Sequence, residues 1–118
     1  MDALAKAKFQ RISQTKVSQL LNEVRGKNVT MAEYIAQTAS KGATTLVVKT
    51  INSAAANLSI KLGKKLNPDE VWIKRAYADR GPMRNLQRIR PGPQGRAMPF
   101  RRKMCHLTII VSDNRKEI

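Results

Sequence analysis

The side chains that could do chemistry gather near the end of this chain. Residues 80–103 carry Arg80, Arg84, Arg88, Arg90, Arg96, Arg101, Arg102 and Lys103, with no Asp or Glu among them. Such a cluster is suited to holding a polyanion, because a guanidinium donates two parallel hydrogen bonds to one phosphate and stacks on flat rings. Directly after it come Cys105 and His106, the one Cys and the one His of the chain. A neighbouring thiol and imidazole can form a nucleophile and its base. Here the local pattern argues against that pairing. Cys105-His-Leu-Thr-Ile-Ile-Val-Ser-Asp113 is rich in β-branched residues and ends in turn formers, which predicts a strand. Consecutive strand side chains point to opposite faces. Cys105 then shares a core face with Leu107, Ile109 and Val111, and His106 lies with Thr108 and Ile110 on the other.

The remaining polar residues offer no catalytic set. A single Cys excludes an internal disulfide and a Cys-rich zinc cluster, and a single His excludes His-based zinc motifs. Glu23, Glu33, Asp69, Glu70 and Asp79 fall at caps, turns and helix surfaces, and no Gly-x-x-x-x-Gly-Lys phosphate loop is present. The residues predict no enzyme activity, no metal and no cofactor. The 118 residues hold 23 Lys and Arg against 8 Asp and Glu, a net charge of +15. That excess repels itself in isolation and calls for a polyanionic partner, nucleic acid before an anionic membrane surface. No stretch reaches the roughly 18 consecutive apolar residues of a membrane span. Met1-Asp-Ala-Leu-Ala-Lys6 lacks the apolar run of a signal peptide.

The elements that must position these cations can be read from periodicity. Ala5–Ile12 predicts a short strand or extended lead-in. Ser13 is placed to cap a first helix whose Val17, Leu20, Leu21 and Val24 form one apolar stripe, with Gly26 just past its end. Thr30-Met-Ala-Glu33 matches a capping box for a second helix with Met31, Ile35 and Ala39 on its apolar side. Ser40 or a neighbour opens a third helix, with Val47, Ile51, Ala54 or Ala55, Leu58 and Leu62 inward and Gly63 at its end. The Ala54-Ala55-Ala56 run fits close approach to a neighbouring element. Asn67-Pro68-Asp69 turns the chain into a strand over Glu70–Asp79. This order predicts an α+β domain spanning 1–118: three helices packed on a small antiparallel sheet, with a long protruding basic β-hairpin. The body is 1–79 and 104–118, and the arm is 80–103. At about 3.3 Å per residue, the run from Tyr77 to the tip at Pro91-Gly92-Pro93 reaches roughly 45 Å. The arm has too few apolar residues to offset its own ordering entropy, so something polyanionic must order it. No RNP-type aromatic pair is present, which argues against stacking of bases on the sheet; Trp72 and Tyr77 are the only candidates, and core or rim packing at the root of the arm is the stronger reading for both.

Several segments, in order along the chain, resemble the universal large-subunit ribosomal protein twenty-two family. Gly95-Arg96-Ala97 followed by His106-Leu107-Thr108-Ile109 resembles the family's Gly-Arg-Ala turn and its His-[Leu/Ile]-Thr-[Ile/Val] strand. Arg11-Ile-Ser-Gln-Thr-Lys-Val17, Val24-Arg-Gly-Lys27 and Ser53-Ala-Ala-Ala-Asn57 resemble further family segments. The departures are Gly92-Pro93, where the family carries an Arg and a small residue, and Gln14, where Pro is common.

The resemblance implies a structural constituent of the large ribosomal subunit that binds large-subunit ribosomal RNA, supports assembly and lines the peptide exit tunnel with its hairpin. Its partners would be that RNA, neighbouring large-subunit proteins and, at the tip, the nascent polypeptide. It would reside in a cytoplasmic bacterial ribosome or an organellar one. The RNA-binding candidates are Lys6, Lys8, Arg11, Lys16, Arg25, Lys27, Arg80, Arg84, Arg88, Arg90, Arg96, Arg101, Arg102, Lys103 and His106. The tunnel-lining tip comprises Arg88, Arg90, Pro91, Gly92, Pro93, Gln94, Gly95 and Arg96. The competing reading is a free basic DNA-binding or nucleoid-type protein, with Leu20–Tyr34 as a helix-turn-helix.

Overall fold

One strand organises the molecule. In the computed structural model, which describes residues 1–39, 41–84 and 87–117, the run Cys105–Ser112 is the central strand (β5) of a three-stranded antiparallel sheet. It lies between β1, Asp2–Gln10, and β2, Trp72–Arg80. Among the described residues three helices follow β1: α1, Gln14–Val24, α2, Val29–Ala39, and α3, Thr44–Leu62. A second sheet pairs β3, Gln87–Pro91, with β4, Ala97–Arg101. This is the predicted α+β architecture.

The helices cover one face of the three-stranded sheet. Cys105, Leu107, Ile109 and Val111 are fully buried there, flanked by Ala3 and Ala5 of β1 and by Ile73, Ala76 and Ala78 of β2. Burying each large aliphatic side chain contributes about 1.5–3 kcal/mol. The small alanines on both outer strands let the helices settle closely, α3 over β1 and β5 and α1 over β2. The α1 stripe is as read from its periodicity: Val17, Leu20, Leu21 and Val24 are all buried. α3 buries Val47, Ile51, Ala54 and Leu58, and also Thr50, whose hydroxyl donates to the Leu46 carbonyl at 2.8 Å. Gly63 adopts the left-handed conformation that ends α3.

Some expectations are corrected. The first strand runs from Asp2 rather than Ala5. The cap of α2 is Asn28, whose Oδ1 accepts from the Met31 N–H at 2.8 Å, because Asn at this position reaches the orphan donor before Thr30 does. α2 buries Val29, Ala32 and Ala36, with Ile35 and Ala39 packed partly against the core as expected, whereas Met31 is exposed. Ser40 lies outside the described residues, and Ala43 stands at the N-cap of α3.

Both edges of the three-stranded sheet are sealed by helix side chains. Along β1, Asn57 Nδ2 donates to the Leu4 carbonyl at 3.0 Å and Lys61 Nζ to that of Asp2 at 2.7 Å. Along β2, Gln14 Nε2 donates to the Ala78 carbonyl at 2.7 Å and Arg25 Nε to that of Ala76 at 2.6 Å. The α1–α2 turn continues the seal through Gly26 N–H to Ile73 O, Ile73 N–H to Lys27 O and Val29 N–H to Val71 O.

The 80–103 segment leaves and rejoins this sheet at one point. Gly81 donates its N–H to the Met104 carbonyl at 2.9 Å, and a Cβ on Gly81 would stand 2.9 Å from Met104 Cβ. Gly81→Ala is therefore expected to lower stability by about 1–3 kcal/mol through forced displacement at the root. Chemical denaturation checks this, and a wild-type midpoint for G81A would contradict the close fit.

Candidate nucleic-acid interface

The β3–β4 ladder carries Arg88, Arg90 and Arg101. Its register pairs Arg88 with Phe100, Ile89 with Pro99, Arg90 with Met98 and Pro91 with Ala97. Alternation then puts Arg88, Arg90, Met98 and Phe100 on one face and Gln87, Ile89, Pro99 and Arg101 on the other. On the first face two guanidiniums flank one ring, with Arg90 Cζ 5.9 Å and Arg102 Cζ 5.6 Å from the Phe100 centroid. Each contact of this kind contributes about 0.5–1 kcal/mol at an exposed site. It also fixes the direction of side chains that would otherwise sweep through solvent. Phe100 is a candidate site residue that composition alone did not reveal.

The turn lies slightly beyond the expected tip. Pro93–Arg96 closes as a type I′-like turn, with Gln94 at φ 58, Gly95 at φ 72 and the Arg96 N–H donating to the Pro93 carbonyl at 3.3 Å. Gly92 donates its N–H to the Arg96 carbonyl at 2.7 Å and packs so closely that a Cβ would meet that oxygen at 3.1 Å and Met98 Cγ at 3.0 Å. Arg96 follows the turn and is exposed, as are Arg80, Arg84, Arg101, Arg102 and Lys103. Among the described residues no cation of 80–103 is paired with a carboxylate; the ion pairs Met1–Asp113 and Lys74–Asp2 lie in the body. A two-stranded ladder is marginal on its own in water, and this one adds unneutralised repulsion.

The body cations fall into three groups. Lys6 and Lys8 project from β1 on the sheet face away from the helices, where they border a hollow of about 270 Å³ with Phe9, Tyr77, Asp79, His106 and Thr108. Arg11 and Lys16 border a larger hollow of about 530 Å³. Lys41, which the sequence reading missed, joins them from the far side of α2. Its convergence depends on helix packing, which no local pattern encodes. Arg25 and Lys27 sit at the α1–α2 turn. Arg25 is exposed but committed to the fold: besides Ala76 O, its Nη1 donates to Asn22 Oδ1.

His106 and Cys105 are on opposite faces, so they form no dyad. Cys105 is fully buried, and burial pushes its thiol pKa up. His106 Nδ1 accepts from the Phe9 N–H at 2.9 Å, and the two rings meet edge to face at 4.8 Å. Phe9 itself has φ 58 at a bulge where β1 gains one residue on β5. A non-glycine residue in that region costs about 1–2 kcal/mol. Of the two aromatics considered for stacking, Trp72 packs at 4.9 Å under the Arg115 guanidinium, whereas Tyr77 is open on the sheet face. Phe9 joins Tyr77 there, a correction to the reading that only Trp72 and Tyr77 were available.

With this geometry in view, comparison with known proteins is decisive. Residues 5–112 match the ribosomal protein L22p/L17e family. The chain belongs to this family. It is 35% identical to the large ribosomal subunit protein uL22 of Leptospira biflexa serovar Patoc, covering 100% of this chain and 99% of that protein. It is 38% identical to the protein of the same name from Staphylococcus aureus strain JH9, covering 99% of this chain and 97% of that protein. The L22p/L17e chain is thus a structural, non-enzymatic protein of the large ribosomal subunit, of the bacterial type found in the cytoplasmic ribosome. Among the described residues no helix is long and apolar enough to cross a membrane.

The raised thiol pKa has a pH consequence. Cys105 stays protonated in the fold after an unfolded thiol has ionised, so its contribution to stability is complete below about pH 8.5 and falls as pH rises further. We expect the native protein to react with a thiol reagent only on unfolding. The alkaline loss of stability should flatten in Cys105→Ala, as read from denaturation midpoints between neutral and alkaline pH. Rapid labelling of the folded protein would contradict this.

Proposed function

We propose that this protein binds large-subunit ribosomal RNA through a projecting cationic arm, residues 80–103, carried by a single domain whose body is 1–79 and 104–118. The observation that carries the reading is the charge of segment 80–103, which includes the β3–β4 ladder: seven Arg and one Lys with, among the described residues, no carboxylate paired to them. Its exposed cations act as phosphate ligands, which supply affinity and orientation without reading sequence. The elongated shape, 63 Å by 26 Å by 20 Å, suits an element threaded between RNA helices. RNA entering between the strands' cations removes the repulsion that keeps the free ladder marginal, so binding and ordering of the arm are one event and assist subunit assembly.

On this reading the tip from Arg88 to Arg96 lines the exit tunnel and meets the nascent polypeptide, in keeping with the resemblance of Gly95-Arg96-Ala97 to the family's turn. Lys6, Lys8, Arg11, Lys16, Lys27 and His106 extend the RNA face over the body, and Arg25 adds its remaining donors there. Neighbouring large-subunit proteins complete the surroundings. The helix-turn-helix alternative has less support. The α1–α2 turn is tied to β2 by backbone hydrogen bonds, and α2 contains no Lys or Arg with which to enter a groove.

The test is a salt titration. Wild-type protein should prefer folded large-subunit RNA to duplex DNA at one salt concentration. Replacing Arg84, Arg88, Arg90 and Arg96 by Gln should weaken RNA binding and reduce the log–log salt slope by about 0.9 for every phosphate that is no longer neutralised. Equal affinity for RNA and DNA, or an unchanged slope after four replacements, would refute the arm as the binding element.

A further inference from the structure

The face of the three-stranded sheet opposite the helices has a construction of its own. Two rows of side chains cross it in register. Lys6 stands beside Thr108 and Tyr77, and the next row places the β1 bulge beside His106 and Asp79. The bulge brings both Lys8 and Phe9 opposite His106. Bulges re-aim side chains, and this one turns a phenyl ring outward. Phe9 is 58% exposed and Tyr77 39%, so two rings are open to solvent on the same face. The strained backbone at Phe9 is held by its N–H on His106 Nδ1 and by the edge-to-face rings. Strain that the surroundings maintain marks a position whose geometry is used.

We propose that this hollow takes one unpaired RNA nucleotide, with its base stacked between the Phe9 and Tyr77 side and its phosphates on Lys6 and Lys8. The inference rests on the RNA-binding reading and adds a second, base-capturing site to the phosphate-binding arm. Charge decides the orientation. Both cations lie on β1, at one border of the hollow, and Asp79 lies across it on β2. A phosphodiester beside Asp79 is repelled, so the backbone follows β1 and the base points inward over His106. Asp79 is then the acceptor for an amino or hydroxyl group of that nucleoside. Thr108, 5% exposed, floors the hollow. Stacking of this kind tolerates any base, because every base offers a π-face.

The experiment uses the full chain and an RNA hairpin bearing a single bulged 2-aminopurine, beside the same hairpin fully paired. Wild-type protein should bind the bulged hairpin more tightly and change the 2-aminopurine emission on binding. Phe9→Ala should weaken binding to the bulged hairpin by about 5- to 100-fold and remove the preference, whereas Phe9→Tyr should keep it. Tyr77→Ala, outside the bulge, should reduce the preference too and serves if Phe9→Ala does not fold by circular dichroism. The four arm substitutions should weaken both hairpins alike and leave the preference standing, which separates this site from the arm. Equal wild-type affinity for the two hairpins overturns the proposal and would mean that the face receives duplex or protein. So does a preference untouched by either aromatic substitution.

Discussion

The structure depends on β5 being paired on both sides. Its inward residues, Cys105, Leu107, Ile109 and Val111, are all removed from water, and its backbone is bonded to β1 and β2 along nearly its whole length. Neither neighbour is close to it in sequence: Asp2 meets Ser112, and Arg80 meets Cys105. The chain ends therefore define the core, and what lies between them must close onto it. The three helices do so by burying one apolar side each. The 80–103 segment cannot, because it has little to bury. It is instead tied to the body where the Gly81 N–H donates to the Met104 carbonyl, and its strands β3 and β4 pair with each other rather than with the three-stranded sheet. A rigid base and a cation-rich extension follow from the same partition of apolar and charged residues.

That partition also explains why so basic a chain can fold. Placing the cations of the segment near the body would add repulsion to a core built mainly of Leu, Ile, Val and Ala. Displacing them lowers that cost and leaves the positive field concentrated where a polyanion can enter. Phe100 refines the arrangement: its ring lies within cation–π reach of both Arg90 and Arg102, which gives each guanidinium a local contact without neutralising it. Guanidiniums oriented in this way lose less side-chain entropy on meeting any anion.

Much of this was legible in the residues themselves. The α1 stripe, the inward face of β5, the separation of Cys105 from His106 and the uncompensated arm all follow from periodicities of 3.6 or 2 and from local charge. What was not legible is non-local. Thr30 and Glu33 satisfy the capping pattern, yet Asn28 takes the role because the chain there is already held against β2 by the Asn28–Trp72 bridge. Lys41 meets Arg11 and Lys16 only through helix packing. Arg25 reads as a free cation in sequence, while in the fold it seals a strand edge. Phe9 gave no signal at all, since no propensity anticipates a phenylalanine with positive φ; only the register slip between Ala7 and Gln10 creates it.

The two sheets manage their edges in opposite ways, and the contrast carries the functional argument. Edge strands with open backbone groups invite pairing with other chains. In the body this is prevented by Asn57 and Lys61 on one side and by Gln14 and Arg25 on the other. Among the described residues no helix lies along β3 or β4. Their protection is chemical: Arg88, Arg90 and Arg101 repel a second copy, and Pro91 and Pro99 lack the N–H that a further strand would require. Sealing by helices would have made the ladder thick and apolar. Sealing by Arg and Pro keeps it two strands wide and positively charged, which rejects another protein strand while remaining open to phosphate. On the proposed function, the groups that prevent self-association at this edge are the same ones that would meet phosphate.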